Sequence, residues 1–138
     1  MSSVRVSPAL QDYLEVILRL SQGDGGVRVS DIAAGLRNSK PTVTQAVGVL
    51  RSMRLVSQER YGRVHLTREG IVQAEKVLAR HQALRAFLVD VLRVTPSIAE
   101  SDACSIEHVI SEETLEHLRS FMSNRPTGKS GAVKETGT

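Results

Sequence analysis

Residues 27–56 read VRVSDIAAGLRNSKPTVTQAVGVLRSMRLV, and this stretch places two short helices on either side of a tight turn. Ser30 and Asp31 open the first, over about Asp31 to Leu36, because a short oxygen-bearing side chain satisfies the N–H groups that a helix start leaves open. Arg37, Asn38 and Ser39 turn the chain. The second helix runs from about Pro41 to Met53, since proline is tolerated in a first turn. Its Val43, Val47, Leu50 and Met53 recur at helical spacing and are expected to face a core.

The same signals extend outward in both directions. Upstream, Ser7 and Pro8 open a helix in which Leu10, Tyr13, Leu14, Ile17 and Leu18 repeat, and Gly23-Asp24-Gly25-Gly26 breaks it. Downstream, Leu55–Arg60 and Val64–Thr67 are short β-prone runs around Tyr61-Gly62-Arg63, the pattern of a hairpin. Thr67 can cap a long helix running to about Arg93, with Val77, Leu84, Leu88 and Leu92 as its apolar stripe. After Thr95-Pro96, a helical stretch covers roughly Ser97 to Ile110. Ser111, Glu112 and Glu113 open a last helix, the acids suiting the positive end of its dipole. It fades after Met122, and residues 124–138 are polar enough to be expected disordered. The chain is therefore expected to be mainly α, with a winged helix-turn-helix in residues 1–70, a helical domain in 71–123 and a tail in 124–138.

Composition narrows the function. The 138 residues carry a net charge of only +3, but eight basic residues lie between Arg28 and Arg68 against Asp31 and Glu59. From Thr95 onward the balance reverses, with seven acidic residues and four basic. Such asymmetry suits a region that meets a polyanion, although a charge run is also simply a solvated face. No apolar run approaches the roughly 20 residues that span a membrane, and the single cysteine cannot form an internal disulfide. A cytoplasmic protein without a membrane partner is the expectation.

A winged helix-turn-helix sets its second helix in the major groove and lays the hairpin along the backbone of double-stranded DNA. On that arrangement Ser39, Lys40, Pro41, Thr42, Thr44 and Gln45 line the start of the reading helix. Gln45 can read an adenine edge, because its amide both donates and accepts. Pro41 and the Thr42 methyl can pack on thymine methyls. Lys40, Arg51, Arg60 and Arg63 suit phosphates, which give affinity without sequence information.

Cys104, Glu107 and His108 stand at i, i+3 and i+4, so on one helix they share a face, with Ile106, Val109 and Ile110 pointing the other way. Thiolate, carboxylate and imidazole within one turn form a partial ligand set for a divalent transition metal. His81 falls within the apolar stripe of the long helix and is expected to face inward. Asp12 and Glu15 project together from the first helix, off its apolar stripe, where exposure is the default. On spacing alone each residue also has a plainer reading: a buried thiol, a hydrogen-bonded core imidazole, a solvated pair.

Four stretches in order, residues 27–56, RYGRVHLTREG (60–70), ARHQALRAFL (79–88) and ACSIEHVISEE (103–113), resemble the metal-dependent repressor family of the diphtheria toxin repressor and the manganese transport regulator. The resemblance covers about residues 7 to 122 and implies a homodimeric DNA-binding repressor, not an enzyme, with a helical dimerisation and metal-binding domain. It implies Asp12, Cys104, Glu107 and His108 as ligands, with His81 at the same or an adjacent site and Glu15 and Glu100 as further oxygen donors. The implied cofactor is manganese(II) or iron(II). Asp12 resembles the manganese branch and Cys104 the iron branch, and a thiolate favours iron, cobalt, nickel or zinc over manganese. Arg85 stands where some members carry an acidic second-site ligand. The palindromic operator and control of metal-uptake genes are likewise implied. A regulator answering to a small organic ligand, a redox sensor using Cys104 and a metalloenzyme remain as alternatives. His65 and His117 receive no role.

Overall fold

The computed structural model describes residues 6–21, 25–60 and 62–125. Residues 126–138 of the expected tail, Gly23 and Asp24 of the expected break, and Tyr61 lie outside them. The chain divides into two compact units, residues 1–78 and 79–138.

In the first unit, α1 (Pro8–Leu20) begins where the Ser7 hydroxyl accepts from the Leu10 N–H. It stops at Ser21, whose N–H and hydroxyl both return to the Ile17 carbonyl. Helix α2 (Val29–Leu36) starts two residues earlier than Asp31 and has no side-chain cap. Arg37 then adopts a left-handed conformation, φ 58°, which costs about 1 kcal/mol for a residue with a Cβ. The turn is held by Asn38, whose amide donates to the Tyr13 hydroxyl at 3.0 Å and whose N–H donates to the Ala33 carbonyl at 3.0 Å. Helix α3 (Lys40–Ser52) is capped by Ser39, which accepts from the Thr42 N–H. As expected, Val43, Val47 and Leu50 are buried and Met53 partly so. The hairpin pairs β1 (Val56–Gln58) with β2 (Val64–Leu66), Ser57 opposite His65. Val27 and Val64 exchange both backbone hydrogen bonds at 2.8 Å, laying the segment before α2 beside the wing. Leu14, Ile17, Ile32, Val43, Leu50 and Leu55, all fully buried, form the centre of one core.

Gly26 belongs to that junction. Its φ is +76°, and a Cβ there would lie 2.7 Å from the His65 ring and 2.8 Å from Arg63 Cβ. Gly26→Ala is expected to destabilise the protein by about 1–2 kcal/mol, from the left-handed backbone and the overpacking together. A thermal melt reads this as a lowered Tm.

Helix α4 (Arg68–Ala86) starts at the expected cap: the Thr67 hydroxyl accepts from the Gly70 N–H and donates to the Arg54 carbonyl. It does not run as a regular helix to Arg93. A π-helical turn, Phe87–Val91, follows, with the Leu92 N–H bonded five residues back to the Phe87 carbonyl, and Arg93 ends it at φ 63°. The wider turn shifts the phase of every later residue. Leu92 thereby leaves the expected apolar stripe and is 54% exposed, whereas Val77 and Leu84 on the regular helix are buried.

The second unit continues with α5 (Pro96–Ile106) and α6 (Glu112–Ser123). Ala99 and Ala103, one turn apart and fully buried, let α5 approach its neighbours closely, and it packs on the π-helical turn. Phe87 and Phe121 meet edge to face at 6.2 Å. Ser111 caps α6 through the Thr114 N–H. The expected helix to Ile110 is shorter: residues 107–109 form a tight turn, with the Val109 N–H reaching only three residues back. That unwinding turns Val109 outward, 82% exposed, and away from Ile106 and Ile110, which stay partly buried.

Candidate metal centre and nucleic-acid interface

The first unit presents one polar face on α3. Ser39, Lys40, Pro41, Thr42, Thr44 and Gln45 are all exposed, because the periodicity that buries Val43, Val47 and Leu50 turns the intervening residues outward. Proline at the second helical position lacks an N–H where none is needed, so the helix start is kept without a further partner. Arg51, Arg60 and Arg63 are exposed as well. Arg51 donates to the Gln58 side chain at 3.1 Å, and Gln58 donates to the Gly62 carbonyl at 3.3 Å. These bonds run from α3 to the turn of the wing. On the wing, His65 pairs with Glu59 at 2.9 Å.

Asp12 and Glu15 also belong to this unit. Asp12 is half-buried. Glu15 departs from the expected exposure: it is only 5% exposed, and its carboxylate accepts from Arg19 Nη2 at 2.6 Å. Helical i, i+4 spacing brings the arginine over the carboxylate, and that pairing makes the burial tolerable.

In the second unit, four of the expected residues converge. His81 on α4 is buried between two carboxylates: Nδ1 lies 2.9 Å from Glu107 Oε1 and Nε2 lies 2.8 Å from Glu100 Oε2. Glu107 caps α5, and its side chain has no exposed surface. Its Oε2 faces His108 Nε2 at 3.5 Å. Arg85 Nε lies 3.0 Å from Glu100 Oε1, and Arg80 approaches Glu112 at 3.6 Å. The resemblance implies Glu100 only as a further oxygen donor, and its pairing with Arg85 carries no signal in residue spacing. The two residues sit on different helices, and folding alone brings them together. Cys104 is exposed on α5, unlike Glu107. A three-residue step leaves about 60° of rotation between them, and the helix ends before Glu107, so the shared face is only approximate.

The chemistry of this cluster fits a divalent cation. A carboxylate buried without exposure is costly unless a cation or hydrogen-bond donors offset it. Two donor atoms that each sit about 2.1 Å from one ion are themselves about 3.0–3.4 Å apart. Glu107 Oε2 and His108 Nε2, at 3.5 Å, come close to that spacing and are too far apart for a good hydrogen bond.

Residues 5–64 match the family described as iron dependent repressor, N-terminal DNA binding domain, and residues 67–132 match iron dependent repressor, metal binding and dimerisation domain. An uncharacterized HTH-type transcriptional regulator of Methanocaldococcus jannaschii is 34% identical over 119 residues, covering 85% of this chain and 94% of its own length. The chain belongs to the iron-dependent repressor family. The transcriptional regulator MntR of Escherichia coli O157:H7 is 41% identical to this iron-dependent repressor over 112 residues, 81% of this chain and 72% of that one. Among solved structures, the manganese regulator SloR superposes with a TM-score of 0.74 at 26% identity, over 88% of this chain. This repressor spans only 56% of that longer chain. The two family matches meet between residues 64 and 67, so the winged helix-turn-helix and the His81 cluster fall in separate matched parts. Among the described residues, no helix is long and apolar enough to cross a membrane.

Proposed function

We propose that the chain is a metal-responsive transcriptional repressor. It binds a palindromic operator in double-stranded DNA as a homodimer when loaded with manganese(II) or iron(II). The buried Glu107 carboxylate, held by His81 and facing His108, carries this reading. It lies within the part of the chain that matches a metal binding and dimerisation domain.

Asp12, Cys104, Glu107 and His108 would hold the ion, with His81 beside them. Glu100 and Glu15, expected as further oxygen donors, are already paired with Arg85 and Arg19. A bound divalent cation supplies positive charge that offsets the repulsion among these carboxylates. Nitrogen and oxygen donors suit manganese and iron(II), and Cys104 tilts the set toward the softer iron(II). Exposed Ile98, Phe121 and Leu92 offer the second unit of one subunit apolar surface for its partner. Two-fold symmetry then sets two α3 helices about one DNA turn apart on a palindrome. The chain works in the cytoplasm, is not an enzyme, and controls genes for metal uptake.

The test is fluorescence anisotropy of metal-free protein on DNA from its own promoter, titrated with manganese(II) and, anaerobically, with iron(II). Metal is expected to tighten binding about 5- to 150-fold, the range of a typical coupling energy. Asp12→Ala and Cys104→Ala are expected to lose that response. Equal binding with and without metal would overturn the switch. On the same DNA, Lys40→Ala is expected to weaken every sequence alike and reduce the salt slope by about one. Gln45→Ala instead is expected to relax discrimination at one base pair by about 1–3 kcal/mol.

A further inference from the structure

Arg85 and Glu100 are joined to Glu107 by an unbroken run of side chains. Arg85 Nε meets Glu100 Oε1 at 3.0 Å, Glu100 Oε2 meets His81 Nε2 at 2.8 Å, and His81 Nδ1 meets Glu107 Oε1 at 2.9 Å. The side chains go from half exposed at Arg85 and Glu100 to 4% at His81 and none at Glu107. The run therefore leads from the surface to the buried carboxylate.

We infer that Arg85, Glu100 and His81 are positioning residues for Glu107 and hold no ion of their own, so that each subunit binds a single metal ion. The inference rests on the reading of Glu107 and His108 as ligands. Each of the two Glu100 oxygens already has a nitrogen partner, and each His81 ring nitrogen already faces a carboxylate. A divalent cation on Glu100 would have to displace Arg85 or bind beside a guanidinium 3.0 Å from the same carboxylate, against like-charge repulsion. A metal on His81 would have to break one of two short contacts to reach a ring nitrogen. Glu107 is different. Its Oε1 is fixed by His81, which leaves Oε2 aimed at His108 Nε2. An imidazole that orients a ligating carboxylate is itself oriented by its other nitrogen, and here Glu100 does this while Arg85 holds Glu100. Such outer partners are worth about 10- to 100-fold in metal affinity.

The experiment titrates the full metal-free chain with manganese(II), reading free ion by electron paramagnetic resonance and bound ion per subunit by elemental analysis. Wild type, Arg85→Ala, Glu100→Gln, Arg85→Lys and the Arg85→Ala/Glu100→Gln double variant are compared, with a circular dichroism melt of each metal-free protein. One ion per subunit is expected throughout. Affinity is expected to fall about 10- to 100-fold in Arg85→Ala and Glu100→Gln and to recover in part in Arg85→Lys, with the double variant no weaker than either single one. Two ions in wild type, or wild-type affinity in Arg85→Ala, would overturn the inference while leaving the metal switch standing. A wild-type chain that takes up no manganese(II) would sink both.

Discussion

Glu107→Gln is expected to yield a folded, DNA-competent protein whose DNA affinity no longer responds to manganese(II). The glutamine has the shape of the side chain it replaces, so the fully buried position stays filled. Its amide oxygen can still accept from His81 Nδ1, now 2.9 Å from Glu107 Oε1. What disappears is the negative charge, and with it the anionic donor facing His108. Loss of an outer partner costs about 10- to 100-fold in metal affinity, and loss of the ligand itself is expected to reach at least the upper end, about 100-fold. At a manganese(II) concentration that saturates wild type, the roughly 5- to 150-fold tightening on DNA should vanish. Without metal the melt should be unchanged or higher, because a neutral amide is cheaper to bury than a carboxylate. The two readouts separate a ligand from a structural residue. Reduced stability with an intact metal response would show that Glu107 holds the fold and not the ion.

Gly70→Ala is expected to destabilise the protein by about 3 kcal/mol, the upper range for forcing atoms into a packed site. Helix propensity alone points the other way, since alanine is favoured over glycine inside a helix by about 1 kcal/mol. Tertiary packing reverses the sign. A Cβ at Gly70 would come within 1.9 Å of the Leu55 carbonyl oxygen and 3.3 Å of Leu66 Cδ2. That carbonyl cannot easily retreat, because it accepts the Thr67 N–H at 3.0 Å and closes the path from α3 into the wing. The expected fall in Tm is roughly 10 °C for a chain of this size. Gly48 on α3 provides the control: nothing lies within 4 Å of a Cβ there. Gly48→Ala is therefore expected to raise stability by about 0.5–1 kcal/mol. If both substitutions moved Tm in the same direction, the close approach of α4 to Leu55 would be refuted.

Local chemistry is what the sequence made legible. Ser7, Thr67 and Ser111 cap the helices they were expected to open, because a cap is a contact between residues three apart and needs no tertiary context. Val43, Val47 and Leu50 face the core for a similar reason: once α3 forms, their spacing admits one buried side. The order of helices and hairpin follows from such local terms in sequence, so the exposed polar face of α3 was legible too.

Other features required contacts that residue spacing does not encode. The π-helical turn at Phe87–Val91 shifts Leu92 off its expected stripe, and periodicity cannot signal an inserted residue within an otherwise helical run. The tight turn at residues 107–109 exposes Val109. Glu15 becomes buried under Arg19, although its position off the apolar stripe suggested water. Most consequential is the run from Arg85 through Glu100 and His81 to Glu107. Sequence named candidate ligand types, because thiolate, carboxylate and imidazole carry their chemistry wherever they stand. Which of them share a buried site, and which charge already neutralises which, was decided only when α4 and α5 packed, since electrostatic pairing depends on distance in space and not on separation along the chain.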